Sequence, residues 1–118
     1  MSERVERWKA AWESRDADRV AALYEAAATH QSGLVLQVFP EVNGTILRGV
    51  EQIREYARRG LARFTTLRFD LLTVTETESR SAVEYHRFSN VDGITPKHVL
   101  ELIEWNGPRI TAVRVFHL

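Results

Sequence analysis

Between Thr66 and Leu118 the chain reads as four extended runs, Thr66 to Thr77, Ser81 to Asn90, Lys97 to Trp105 and Arg109 to Leu118. Only short turn segments break them: Glu78-Ser79-Arg80, Asp92-Gly93 and Asn106-Gly107-Pro108. Connections this short join neighbouring antiparallel strands, because a parallel crossover needs a dozen or more residues. A sheet built this way has a face to cover, and the covering elements must come from upstream.

Upstream, helical periodicity dominates. Val5, Trp8, Ala11 and Trp12 fall on one stripe of a helix expected from about Glu3 to Ser14. Asp16 reads as the N-cap of a second helix, its carboxylate accepting free backbone N–H groups while Asp18 adds charge favourable to the dipole. That helix is expected to run through about Ala27, burying Val20, Leu23, Tyr24 and Ala27. From His30 to Leu47 the period changes. Leu34, Leu36 and Val38 alternate, Pro40 and Asn43-Gly44 punctuate, and Thr45-Ile46-Leu47 resumes an extended run, which predicts two short strands around a loop.

A third helix is expected after Gly49, with Ile53, Tyr56, Ala57, Gly60, Leu61 and Phe64 on its apolar face. Glu51, Arg54, Glu55, Arg58 and Arg59 occupy the other side; Glu55 and Arg59 form a favourable i,i+4 pair, and the interleaved signs read as a solvated face rather than an anion-binding patch. The order is α+β, three helices covering a strongly curved antiparallel or mixed sheet, in one domain over residues 1–118.

The 118 residues are 44% hydrophobic and 27% charged, which suffices for a core without disulfide or metal staples. With no cysteine, thiolate zinc sites and Cys nucleophiles are excluded. Sixteen Lys and Arg balance sixteen Asp and Glu, so nothing draws the chain to a phosphate backbone, and nucleic acid is not an expected partner. The apolar stretch Gly33 to Val38 is far short of the ~20 residues that span a bilayer. The opening MSERVERWKAAW carries charges where a signal peptide needs an apolar run, so a cytoplasmic protein without membrane contact is expected.

Four stretches resemble the NTF2-like superfamily, in particular its SnoaL-like polyketide cyclase and ketosteroid isomerase branch. They are Ala11-Trp12 with Asp16 and Val20-Ala21-Ala22-Leu23-Tyr24; Gly49-Val50-Glu51-Gln52-Ile53 running on to Gly60-Leu61; Ala82-Val83-Glu84-Tyr85; and Asn106-Gly107-Pro108-Arg109-Ile110. The resemblance implies a cone-shaped half-barrel whose concave face holds a largely apolar small-molecule pocket. Strand alternation sorts the sheet residues into two sets. Hydrophobicity alone leaves both open as pocket lining, since each mixes apolar and polar residues. The resemblance selects Val83, Tyr85 and Arg87; Val99, Glu101, Ile103 and Trp105; and Thr111, Val113, Val115 and His117. The other set, with Leu100, Leu102, Ala112 and Phe116, is then expected to be covered by a second copy in a homodimer.

Matched residue by residue to the isomerases, the base position falls at Ser32, the oxyanion tyrosine at Trp8 and the oxyanion carboxylic acid at Glu101. Serine is no base toward carbon at neutral pH, so steroid isomerisation by the family mechanism is not expected. Glu101, flanked by Val99 and Ile103 on its face, is expected to have a raised pKa and to act as donor or general acid. His117 is the candidate base, with His30 and Ser32 across the pocket. A His117–Ser32 nucleophilic pair lacks a third orienting group. His30, His117 and Glu101 could be written as a metal triad, but their spacing does not demand one, and no metal or cofactor is expected. Tyr24, Tyr56 and Tyr85 point inward by stripe or parity, while Trp8 and Trp12 are expected to form the roof rather than touch a ligand. The expected ligand is a mostly apolar or aromatic organic molecule.

Overall fold

The computed structural model describes residues 2–118, as helices against a curved, unclosed six-stranded mixed sheet. Helix α1 spans Glu3–Glu13 and α2 Ala17–Ala21. Strand β1 is Tyr24–Gln31, followed by a short helix α3, Val35–Val38, and a 3-10 turn, Pro40–Val42. Then come β2 (Ile46–Arg48), α4 (Val50–Leu61), β3 (Leu67–Glu76), β4 (Arg80–Ser89), β5 (Lys97–Asn106) and β6 (Arg109–His117). The sheet order is β2-β1-β6-β5-β4-β3, antiparallel except that β1 runs parallel to β6.

The termini of α1, the start of α4 and the termini of the last four strands fall within a residue or two of those expected, while α4 ends at Leu61, three residues short of Phe64. Asp16 caps α2 through Oδ1, which accepts from the Asp18 and Arg19 N–H groups. Gly49 caps α4 at φ +88°, a conformation that disfavours any side chain, while its N–H pairs with the Ala28 carbonyl at 2.8 Å.

Two upstream expectations are corrected. The second helix stops at Ala21, and Tyr24 to Gln31 is a strand. Val20, Leu23 and Tyr24 are buried as expected, but Ala27 is exposed and Ala28 is buried in its place. The helix-favouring Ala26-Ala27-Ala28 run yields because the strand is pinned on either side of it, Tyr24 on β6 and Thr29 to Gln31 between β6 and β2, and pairing there outweighs a propensity of tenths of a kcal/mol per residue. Conversely, Leu34 to Val38 is not a strand. Ser32 starts a turn, its Oγ accepting from the Leu34 N–H and its carbonyl from the Val35 N–H. On that turn Val35 enters the core, Leu36 is 56% exposed, and Leu34 and Val38 share a third face.

The third correction is a bulge. Glu104 pairs with Ala112 but Trp105 with Ile110, leaving Thr111 as an extra residue whose hydroxyl donates to the Glu104 carbonyl. Ile110, not Thr111, is therefore fully buried on the concave side.

Candidate functional site

Regular alternation on β5 buries Val99, Glu101, Ile103 and Trp105 together, and on β4 it buries Val83 and Tyr85. Val83 stands opposite Glu101, so Tyr85 lies diagonal to it and its hydroxyl donates to Glu101 Oε1 at 2.6 Å. Trp8 of α1 packs edge-on to Tyr85 at 5.5 Å and tilted against Phe69 at 5.4 Å, closing an aromatic cage around the carboxyl. Glu101 is 5% exposed, and its Oε2 has no hydrogen-bond partner. The Trp8 indole N–H faces the carboxyl but lies outside hydrogen-bond geometry and is itself unpartnered. Burial raises the Glu101 pKa to about 7, against the opposing effects of the Tyr85 hydroxyl and Trp8.

A second buried pair comes from β1. Tyr24 and His30 are each 2% exposed, with the phenol oxygen 3.0 Å from His30 Nδ1. Burial lifts the Tyr24 pKa well above its ordinary value and lowers that of His30 to about 4. The phenol makes no other hydrogen bond, so it donates to Nδ1 and leaves the neutral imidazole's proton on Nε2.

Tyr85 and Glu101 of the first pair and His30 of the second border one cavity, which offers about 60 Å³ to the centres of water-sized molecules. Nine of the expected site residues line it: His30, Ser32, Tyr56, Tyr85, Arg87, Val99, Glu101, Val115 and His117. Tyr24, Val83, Ile103, Trp105 and Val113 do not reach it. They are buried in the core, Tyr24 behind His30, and Trp105 with its indole N–H on the Ser81 hydroxyl. Trp8 stays behind the wall as expected, but Trp12 is a wall residue. Leu34, Val38, Gly60, Leu61, Arg63, Phe64, Leu67 and Phe69 complete the lining. Leu61 and Phe64 were legible on the apolar face of α4, and parity along β3 would have found Leu67 and Phe69. Nothing in the local pattern marks Arg63.

Arg63 and His117 are the exposed members of the lining and mark the opening. His117 Nε2 lies 3.4 Å from Ser32 Oγ, which already accepts from Leu34 N–H, so the hydroxyl proton is free to point at the imidazole. The His117 pKa is lowered by burial and by the cations Arg87 and Lys97, which makes it a free base at neutral pH. Arg87 is held bidentate by Asp92 at 2.9 and 2.8 Å. Among the described residues no group of three or more His, Asp or Glu side chains is placed to hold a metal ion, and no helix is long and apolar enough to cross a membrane.

No match is found among curated proteins. Solved structures similar in fold include a SnoaL-like protein of unknown function from Burkholderia thailandensis, 20% identical, covering 97% of this chain and 91% of that one at a TM-score of 0.78. A protein with a ketosteroid isomerase-like fold from Catenulispora acidiphila, in complex with trimethylamine, is also 20% identical, with 98% and 85% covered and a TM-score of 0.78. A proposed polyketide cyclase from Sinorhizobium meliloti is 14% identical, with 98% and 95% covered at 0.77. The SnoaL-like domain family matches residues 5–117 directly. With the curved sheet, the helical cover and the cavity between them, this match settles the family: the chain is a member of the SnoaL-like domain family, within the NTF2-like fold.

Proposed function

We propose that the domain binds a small, mostly apolar organic molecule in this cavity and performs cofactor-independent acid–base chemistry on it. One observation carries the reading: a buried carboxyl in the wall of an aromatic cavity, one oxygen held by Tyr85 and the other unpartnered. Near pH 7 such a group exists in both protonation states, the condition under which it can give or take a proton. Ser32 at the family's base position cannot serve as base, and His117 beside it takes that part. In an enolisation, His117 removes a proton from the carbon beside a carbonyl. The C–H pair becomes the new C=C bond, and Glu101 delivers its proton to the carbonyl oxygen. Reprotonation at the far carbon of a conjugated enol gives isomerisation, and attack of the enol carbon on a second carbonyl of the same molecule, whose C=O π bond opens and whose oxygen takes up the proton the enol oxygen releases, gives cyclisation.

The test is deuterium exchange at the methyl group of acetophenone in heavy water, followed by proton NMR. The expected result is exchange above the buffer rate that falls by about 100-fold or more in Glu101→Gln while acetophenone still binds, because an amide keeps the shape but transfers no proton. Exchange equal in mutant and parent and above the buffer rate would remove Glu101 from the chemistry, and exchange at the buffer rate in both would replace this reading with that of a non-catalytic binding module.

The same reading includes a homodimer through the convex face, where Phe116 is 42% exposed and Leu100, Leu102 and Ala112 are half-buried. A two-fold contact of at least ~1,000 Å² would cover them. Sedimentation as a monomer at tens of micromolar would remove the dimer from the proposal.

A further inference from the structure

The arginines of α4 and the turn after it are not treated alike. Arg54 pairs with Asp18 and Glu51, Arg58 with Glu55, and Arg59 with Glu55 and Glu41. Arg63 has no carboxylate among the described residues. Its guanidinium lies 5.3 Å from the centre of the Phe64 ring, and its Nε donates only to the Gly60 carbonyl, at 3.4 Å. It is also the one of the four that borders the cavity.

The cavity is polarised along its length. Of the charged groups in its lining, Glu101 is buried, Arg87 is half-buried and Arg63 is exposed, which sets an acidic inner end against a cationic opening. Arg87 is spent on Asp92, whose side chain is 2% exposed, so Arg63 is the one uncommitted permanent cation among the residues that line the cavity. A single planar guanidinium suits a monoanion that accepts two parallel hydrogen bonds, whereas a phosphate dianion would need a second free cation. The wall between opening and floor, with Phe64, Phe69 and Trp12, suits a flat apolar body.

Resting on the reading that the cavity takes a small apolar molecule, we infer that this molecule is a carboxylic acid, bound by its carboxylate at Arg63 with its apolar body directed inward to Glu101. The anion meets a cation at the water-exposed end, where its desolvation is incomplete and cheap. The buried Glu101 meets an uncharged end, where a second anion would be repelled.

The experiment compares benzoate with benzamide, which share size and shape and differ in charge, by calorimetry and Trp12 fluorescence at low ionic strength. The expected result is benzoate bound about tenfold more tightly than benzamide. Arg63→Gln should erase that gap by weakening benzoate alone, and binding of benzoate should raise the His117 pKa in NMR titration. Arg58→Gln, which removes an equal charge away from the cavity, should leave the gap intact. No gap, or a gap that survives Arg63→Gln, would overturn the inference while benzamide binding preserved the apolar-ligand reading. Failure of both probes to bind would remove both.

Discussion

Two glutamates on opposite sides of the helical cover show how far one side chain's chemistry is set by its surroundings. Glu55, on the outer face of α4, lies between Arg58 and Arg59, whose hydrogen bonds hold its pKa at about 2. Glu101, on the inner face of β5, has no cation beside it and is pushed to about 7 by burial. The outer face is a solvated ionic network that contributes little to stability at ordinary salt. The inner face accepts an ionisation penalty, and with it gains a proton that can move near neutral pH. Regions under no functional demand rarely keep such a group.

The harshest way to break the inner region is Trp8→Ala. Trp8 is fully buried against Phe69 and Tyr85, so the variant should lose about 3–5 kcal/mol in chemical denaturation, and with it the cage around Glu101. A loss under 1 kcal/mol would mean the cage is not packed as described.

Next in size is a pH effect with a definite sign. Ionising Glu101 in the folded state costs about 3 kcal/mol, so its contribution to stability falls as pH rises from its unfolded value of 4.5 to about 7. His30 runs oppositely. Its folded pKa of about 4 lies below the ordinary 6.5, so its contribution is full above 6.5 and is lost as pH falls toward 4. Between pH 4.5 and 6.5 the two slopes cancel, and these groups should leave a plateau in the parent protein. In Glu101→Gln the His30 slope is uncovered, and stability should climb by about 3 kcal/mol across the same interval. Parallel pH profiles for parent and variant would contradict the burial of the carboxyl.

Tyr24→Phe sharpens the picture at a smaller scale. It leaves His30 Nδ1 without a donor and should cost about 1–3 kcal/mol. It should also release the imidazole from the Nε2–H form, visible in the ring nitrogen shifts. Smallest of all, Glu55→Gln should leave the unfolding midpoint nearly unchanged at physiological salt, with a difference appearing only at low ionic strength and vanishing as pH falls through the low folded pKa of Glu55. A large loss there would show the outer network to be structural.

Legibility followed the range of the interactions. Strands β3 to β6 were read within a residue or two because each hairpin is closed by its own turn and each face repeats every second residue. That parity placed Glu101 with Val99 and Ile103. It failed at Thr111, where the bulge exchanges Ile110 into the core with no mark in the local pattern. It also could not separate cavity wall from deeper core: Val99 and Val115 line the cavity while Val83, Ile103 and Val113 on the same face lie away from it. Depth in a cone depends on where the helices close over the sheet, not on which way a residue points.

Between Leu23 and Val42 the local pattern misled in both directions, for the same reason. The alanine run of β1 is extended because Thr29 to Gln31 just after it bridge β2 and β6, and Leu34 to Val38 is coiled because Ser32 turns the chain under α4. By itself the sequence determined which residues share a strand face, the α4 stripe, the Asp16 cap and a carboxyl flanked by valine and isoleucine, since these follow from neighbours within a few positions. Only the tertiary structure decided the strand at Tyr24 to Gln31, the proton position on His30, the uncommitted Arg63 and the unpartnered Glu101 oxygen. The strand, the Glu101 cage and the surroundings of Arg63 depend on partners well beyond a helical or strand repeat, and even the Tyr24–His30 pair forms only once that strand is in place, so no short-range period records them.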